Sequence, residues 1–204
     1  MDEEINMNKV KIDRNLRNTD IGRHLITMYG EVANFKPNII VELGVRSGVS
    51  TKILAEVAKI YNARLISVDK GDCAKACDWD KWEFIKADSV EYGEEFYYKA
   101  EPYDVLFIDT YHSKPQVLKE LKAWIKSAND DTLFIFHDTN PAWHKNIKIA
   151  EDIGSVLDGV NEFFGLNIAK DGNHDSVYYD DKYIYYITHH DYFEGMTYIR
   201  RTKL

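Results

Sequence analysis

Strand-like and helix-like runs alternate five times along this chain, a glycine turn follows the first strand directly, and an acid stands at each of five strand exits. These three observations predict an α/β protein built on an open, mostly parallel sheet, with one antiparallel strand in a C-terminal hairpin and helices on both faces.

Residues 1–17 are polar and irregular and read as an N-terminal arm, which leaves residues 18–204 as a single domain. From Asp20 onward, Ile21, Leu25, Met28, Tyr29 and Val32 fall at helical spacing, with Thr19 or Asp20 placed to cap. Ile39, Ile40, Val41 and Leu43, between Pro37 and Gly44, read as a buried parallel strand. Ile53, Leu54, Val57, Ala58 and Tyr61 make one apolar stripe, so 49–61 is a helix. Residues 64–69, 82–87, 103–109 and 132–136 supply four more strands, and 70–81, without a period, is loop or a brief helix. Residues 90–100 read as helix. Another helix starts near 114, where Ser113 and Gln116 have capping-box spacing and Pro115 suits the first turn. Val156, Leu157, Val160, Phe163 and Phe164 form a last helix face that Gly165 would end. Residues 182–188 and 196–200 complete the hairpin, and 142–150, lacking a steady period, is placed at the substrate entrance.

The run Glu42-Leu43-Gly44-Val45-Arg46-Ser47-Gly48 is the organising feature. Glycines let the backbone approach a ligand, and the amides at the start of the next helix face it. A dinucleotide cradle needs Gly-x-Gly-x-x-Gly. Here Arg46 stands where the middle glycine would be, which favours a nucleoside without phosphates. Asp69 ends the second strand, one βαβ unit beyond Gly44, where a carboxylate can accept both hydroxyls of a ribose.

The stretch from Glu42 through Gly48, Val49 and Ser50 to Thr51 closely resembles the first motif of class I S-adenosylmethionine-dependent methyltransferases. It looks most like the metal-dependent small-molecule O-methyltransferases of the catechol and antibiotic-sugar types. That resemblance implies a Rossmann-like fold and S-adenosylmethionine as cofactor, bound by Glu42, Gly44, Gly48, Ser50, Asp69 and Asp109, with Asp88 or Ser89 meeting the adenine amine. It also implies Mg²⁺ on Asp109 and Asp138, the two acids at the neighbouring fourth and fifth strand exits. Catechol-type enzymes carry Asn directly after the second acid. This chain has Thr139 there, so Asn140, Thr139, His137 or water is left as third ligand, with Asn140 the one expected. His112 follows Asp109 by three residues, where the sugar-modifying relatives often carry histidine, and a neutral imidazole there could act as general base. The expected reaction is methyl transfer to a hydroxyl oxygen of a small molecule. A nicotinamide-dependent oxidoreductase and a non-catalytic cofactor-binding domain are the alternatives.

Composition narrows the partners. Thirty-four acids against 26 bases give a net charge of −8, which opposes binding to long nucleic acid. No apolar run reaches the roughly 18 residues of a membrane span. The acidic Met1-Asp2-Glu3-Glu4 start argues against a signal peptide, so a cytoplasmic location is expected. Cys73 and Cys77 are too few for a zinc site. The aromatic tail and the arm could supply a homodimer contact.

Overall fold

Eight strands form one sheet in the order β3-β2-β1-β4-β5-β8-β7-β6. They are β1 (Ile39–Leu43), β2 (Arg64–Asp69), β3 (Trp82–Lys86), β4 (Tyr103–Ile108), β5 (Ala128–His137), β6 (His174–Tyr179), β7 (Tyr183–His190) and β8 (Met196–Lys203). The computed structural model describes residues 19–99, 101–140, 142 and 154–204. The arm assigned to 1–17 lies outside them, as do residues 143–150 of the expected substrate entrance.

β1 to β5 are mutually parallel, and β8 pairs antiparallel with β5, as Phe136 opposite Thr197 and His137 opposite Met196 show. The expected hairpin is β7 and β8. It extends to a third strand, β6, so β8 and β6 both run against the rest of the sheet. β6 escaped the sequence reading because it is a short edge strand whose alternation, His174-Asp175-Ser176-Val177-Tyr178-Tyr179, buries no face fully.

The alternation of side chains along each strand divides the core in two. Ile40, Leu65, Val105, Phe107, Leu133 and Ile135 face α1 (Leu25–Phe35) and α2 (Val49–Tyr61). Val41, Leu43, Ile66, Val68, Leu106, Phe134 and Phe136 face α3 (Ser89–Tyr97), α4 (Lys114–Trp124) and α5 (Val156–Phe164). Each such fully buried aliphatic or phenyl side chain contributes about 1.5–3 kcal/mol relative to exposure. α3 and α4 meet closely because residue 93 is glycine: a Cβ there would lie 2.5 Å from Trp124 Nε1.

The caps follow local chemistry. Asp88 accepts from the amides of Val90 and Glu91 and starts α3. Ser155 and Asp158 form a reciprocal capping box on α5, and Gly165, at φ +66°, ends it. The capping box expected at Ser113 does not form, because Gln116 Nε2 turns to Glu120 Oε1 instead.

The chain winds outward from β1 to β3 and then returns to β4, on the other side of β1. That reversal opens a crevice at the carboxyl ends of β1 and β4.

Candidate functional site

A cavity of about 420 Å³ lies in that crevice, lined among others by Gly44, Asp69, Ser89, Asp109, Tyr111 and Gln116. This is within the usual range for a small-molecule site.

Gly44 makes the crevice possible. Its φ is +92°, and a Cβ there would stand 1.9 Å from the carbonyl oxygen of Asp109, so the exits of β1 and β4 touch through a residue with no side chain. Asp69 closes the loop from the β2 side. Its Oδ2 accepts from the amides of Val45 at 2.8 Å and Arg46 at 3.1 Å, and its Oδ1 from Gly71 at 2.7 Å. Burial pushes this carboxyl up, but those amides outweigh it and hold it below the usual range, so Asp69 is an anion at the pocket wall. The loop also reaches the segment before α1, where Arg46 pairs with Asp20 at 3.1 Å.

Four residues expected to touch a cofactor sit elsewhere. Glu42 is fully buried and accepts from Ser50 Oγ at 2.6 Å, Thr51 Oγ1 at 2.8 Å and Ser67 Oγ at 2.6 Å. It therefore pins the start of α2 to β1 and β2 from beneath, and Ser50 is one of its donors rather than a pocket residue. Gly48, at φ +73°, packs on the 70–81 loop, where a Cβ would lie 2.6 Å from the carbonyl oxygen of Ala76. Asp88 is spent on capping α3 and on Lys70 Nζ at 2.6 Å. The neighbouring Ser89 is the one of that pair in the pocket wall.

Sequence reasoning missed Glu120. It is fully buried on α4 and accepts from Ser89 Oγ at 2.5 Å, Thr110 Oγ1 at 2.9 Å and Gln116 Nε2 at 3.0 Å. All three donors line the cavity, so one hidden carboxylate orders that side of it. Burial raises its pKa, and the three donors oppose that shift. The only signal available was an acid beside the apolar stripe of Val117, Leu121 and Trp124.

At the far end of the cavity, Asp109, His137 and Asp138 present ligand atoms within 4.8 Å of one another. Consecutive strand residues ordinarily point to opposite faces. Asp138 departs from the strand at φ +57°, a left-handed conformation that Asp tolerates, and this brings its Oδ2 to 2.9 Å from His137 Nδ1. His137 Nδ1 is also 3.3 Å from Asp109 Oδ1. His112 Nε2 reaches Asp138 Oδ2 at 2.9 Å and Asp109 Oδ1 at 3.4 Å. Two carboxylates and an imidazole converging here make a donor set that fits a divalent cation.

The side chain of Asn140, expected as the third donor, is engaged in other bonds. Its Nδ2 donates to the carbonyl of Asp191, its Oδ1 accepts from the Ala142 amide at 3.1 Å, and Gly195 packs against its backbone, which ties the β5 exit to the turn before β8. Thr139 is buried, and its hydroxyl has no partner among the described residues.

The neutral imidazole expected at His112 is also modified. Burial pulls this ring down, but its bonds to Asp109 and Asp138 overcome that and push it up to about 9. A cation held by those carboxylates would reverse the balance. Behind His137, His24 is buried, stacks on Tyr192 at 4.8 Å, and has its pKa pushed down to about 3, first by burial and then by His137 and His190.

Residues 41–139, somewhat less than half of the chain, match the family model of a methyltransferase domain. The sheet order and the strand-exit crevice agree with that match: the chain has the fold of the class I methyltransferases. Three similar solved structures are the methyltransferase PaMTH1 of Podospora anserina with S-adenosylhomocysteine, TomG of Streptomyces achromogenes with S-adenosylmethionine, and MycE of the mycinamycin pathway with Mg and S-adenosylhomocysteine. PaMTH1 is 15% identical with a TM-score of 0.63, covering 87% of this chain and 77% of its own. TomG, an O-methyltransferase of tomaymycin synthesis, is 14% identical at 0.61, covering 95% and 92%. MycE is 15% identical at 0.61, covering 87% of this chain, which spans only 49% of MycE. At such identities the likeness shows the fold. No curated protein sequence matches the chain.

Proposed function

We propose that this protein transfers a methyl group from S-adenosylmethionine to a hydroxyl oxygen of a small molecule, with a divalent cation at the acceptor end of the site. One observation carries the proposal: Asp109 belongs both to the wall of the nucleoside-sized cavity and to the carboxylate–histidine cluster beyond it. A donor in the cavity and an acceptor on the cluster would therefore meet at a single residue.

Asp69 would accept the ribose hydroxyls with the lone pairs that its amide bonds leave free. Ser89, ordered by Glu120 in the cavity wall, would face the adenine. Asp109 and Asp138 would hold the cation, which when bound acts as a Lewis acid and lowers the pKa of the acceptor hydroxyl. His112 Nε2, beside both carboxylates, is the group placed to take the acceptor's proton. Bound S-adenosylhomocysteine, S-adenosylmethionine and Mg in the similar structures support this reading.

Long nucleic acid is not the acceptor we propose, given the net charge of −8. No described helix is long and apolar enough to cross a membrane. We assign the protein to the cytoplasm, in keeping with two free thiols, Cys73 and Cys77.

The test is calorimetry with S-adenosylhomocysteine, followed by transfer of labelled methyl from S-adenosylmethionine to a panel of catechols and sugars. Binding in the micromolar range is expected, with an Asp109→Ala protein losing at least a hundredfold in turnover. Absence of binding at millimolar ligand would defeat the proposal, and undiminished turnover in chelator would defeat its metal part.

A further inference from the structure

His137 was not needed for the reaction just described, yet it stands as close to the two carboxylates as His112 does. Its Nδ1 lies 2.9 Å from Asp138 Oδ2 and 3.3 Å from Asp109 Oδ1. Ligand bonds of about 2.1 Å place neighbouring donors about 3.0 Å apart in an octahedron and about 3.4 Å apart in a tetrahedron. The observed separations are the edges of such a polyhedron.

Among the described residues, the other ring nitrogen makes no contact that competes with this role. His137 is 1% exposed, and its Nε2 has no hydrogen-bond partner among the described residues; the nearest ring described beside it, His24, meets it edge-on at 5.6 Å. A ring serving only as a doubly donating cation between two acids would bury one N–H with no acceptor. A ring that gives its Nδ1 lone pair to an ion buries the same N–H, so Nε2 does not separate the two roles and the assignment stands on the Nδ1 geometry.

We propose that His137 is a direct ligand and that the centre is a mixed nitrogen–oxygen site built for a later transition divalent ion such as Fe²⁺, Co²⁺ or Zn²⁺ in preference to Mg²⁺. The reason is ligand chemistry. Mg²⁺ is small, hard and reluctant to shed water, and it is held by oxygens, whereas imidazole suits the later first-row ions. The inference rests on the metal part of the proposed function and names the ion class for that same site.

The test uses the full chain stripped of metal, titrated calorimetrically with Co²⁺ and with Mg²⁺, in wild type and in His137→Asp, which replaces the nitrogen donor by a third carboxylate. Any site of this kind favours Co²⁺ over Mg²⁺ to some degree, so the quantity read is the change in that preference. His137→Asp should lower the Co²⁺/Mg²⁺ affinity ratio at least tenfold. An unchanged ratio would overturn the inference. If the variant does not fold, electron spin-echo spectra of the Mn²⁺-loaded His112→Ala protein decide: nitrogen modulation from one bound imidazole is expected, and its absence overturns the assignment. S-adenosylhomocysteine is titrated into the same samples. Binding of it together with a cation insensitive to His137 defeats this inference alone, and binding of it with no cation at all defeats the metal centre. Binding of neither defeats the methyl-donor reading as well.

Discussion

Glu42 carries a cost that depends on pH. Burial pushes its carboxyl to about 7, with the hydroxyls of Ser50, Ser67 and Thr51 holding back a larger rise, against 4.5 for a free glutamate. At about 1.4 kcal/mol per tenfold change in proton affinity, the difference amounts to roughly 3 kcal/mol. The folded state binds this proton more tightly, so below pH 4.5, where both states are protonated, the group costs nothing. As pH rises the unfolded chain ionises first, stability falls, and the loss is complete once pH passes about 7. Glu42→Gln cannot ionise. One of the three hydroxyls must rotate to accept from its amide, which shifts stability by an amount independent of pH. Urea unfolding of both proteins from pH 4.5 to 8 is the assay. The variant should gain about 3 kcal/mol relative to wild type across that interval. A difference that stays constant with pH would refute the buried, proton-holding role assigned to Glu42.

Gly44→Ala places a methyl 1.9 Å from the Asp109 carbonyl at a φ of +92°, and should destabilise by at least about 2 kcal/mol in the same unfolding assay; a loss under 0.5 kcal/mol would mean the β1 and β4 exits are not held as described. Asp69→Ala removes the acceptor of three loop amides and of the proposed ribose contact, and should weaken S-adenosylhomocysteine roughly 10- to 100-fold by calorimetry, with unchanged affinity counting against that role. Glu120→Ala leaves Ser89, Thr110 and Gln116 without their common acceptor. It should weaken the same ligand about tenfold although Glu120 lines no part of the cavity, and an effect on thermal stability alone would reduce Glu120 to a core residue.

Legibility followed the range of the physics involved. The apolar stripe of 49–61 and the runs ending at Asp69 and Asp109 are local patterns, and the helix and strands appear there, the last ending one residue earlier at Ile108. β6 was illegible because an edge strand needs only one neighbour and no buried face. Within the site, the direction in which an acid points depends on its neighbours across the sheet. Glu42 turns inward because Ser50 and Thr51 on α2 and Ser67 on β2 surround it. Asp88 turns to the α3 amides because they begin two residues later.

By itself, then, the order of residues determined the strand–helix alternation, the glycine turn and the placing of an acid at each strand exit, since these depend on spacing and on conformations a few residues wide. Only the tertiary structure decided which acids face a cavity, which are buried as anchors, and that the His137 ring lies beside Asp109 and Asp138 while Asn140 Nδ2 bonds the Asp191 carbonyl. The reason is that β4 and β5 become neighbours through parallel pairing across a crossover, and the left-handed turn at Asp138 undoes the strand's alternation, so their exits converge in a way that spacing along the chain does not encode.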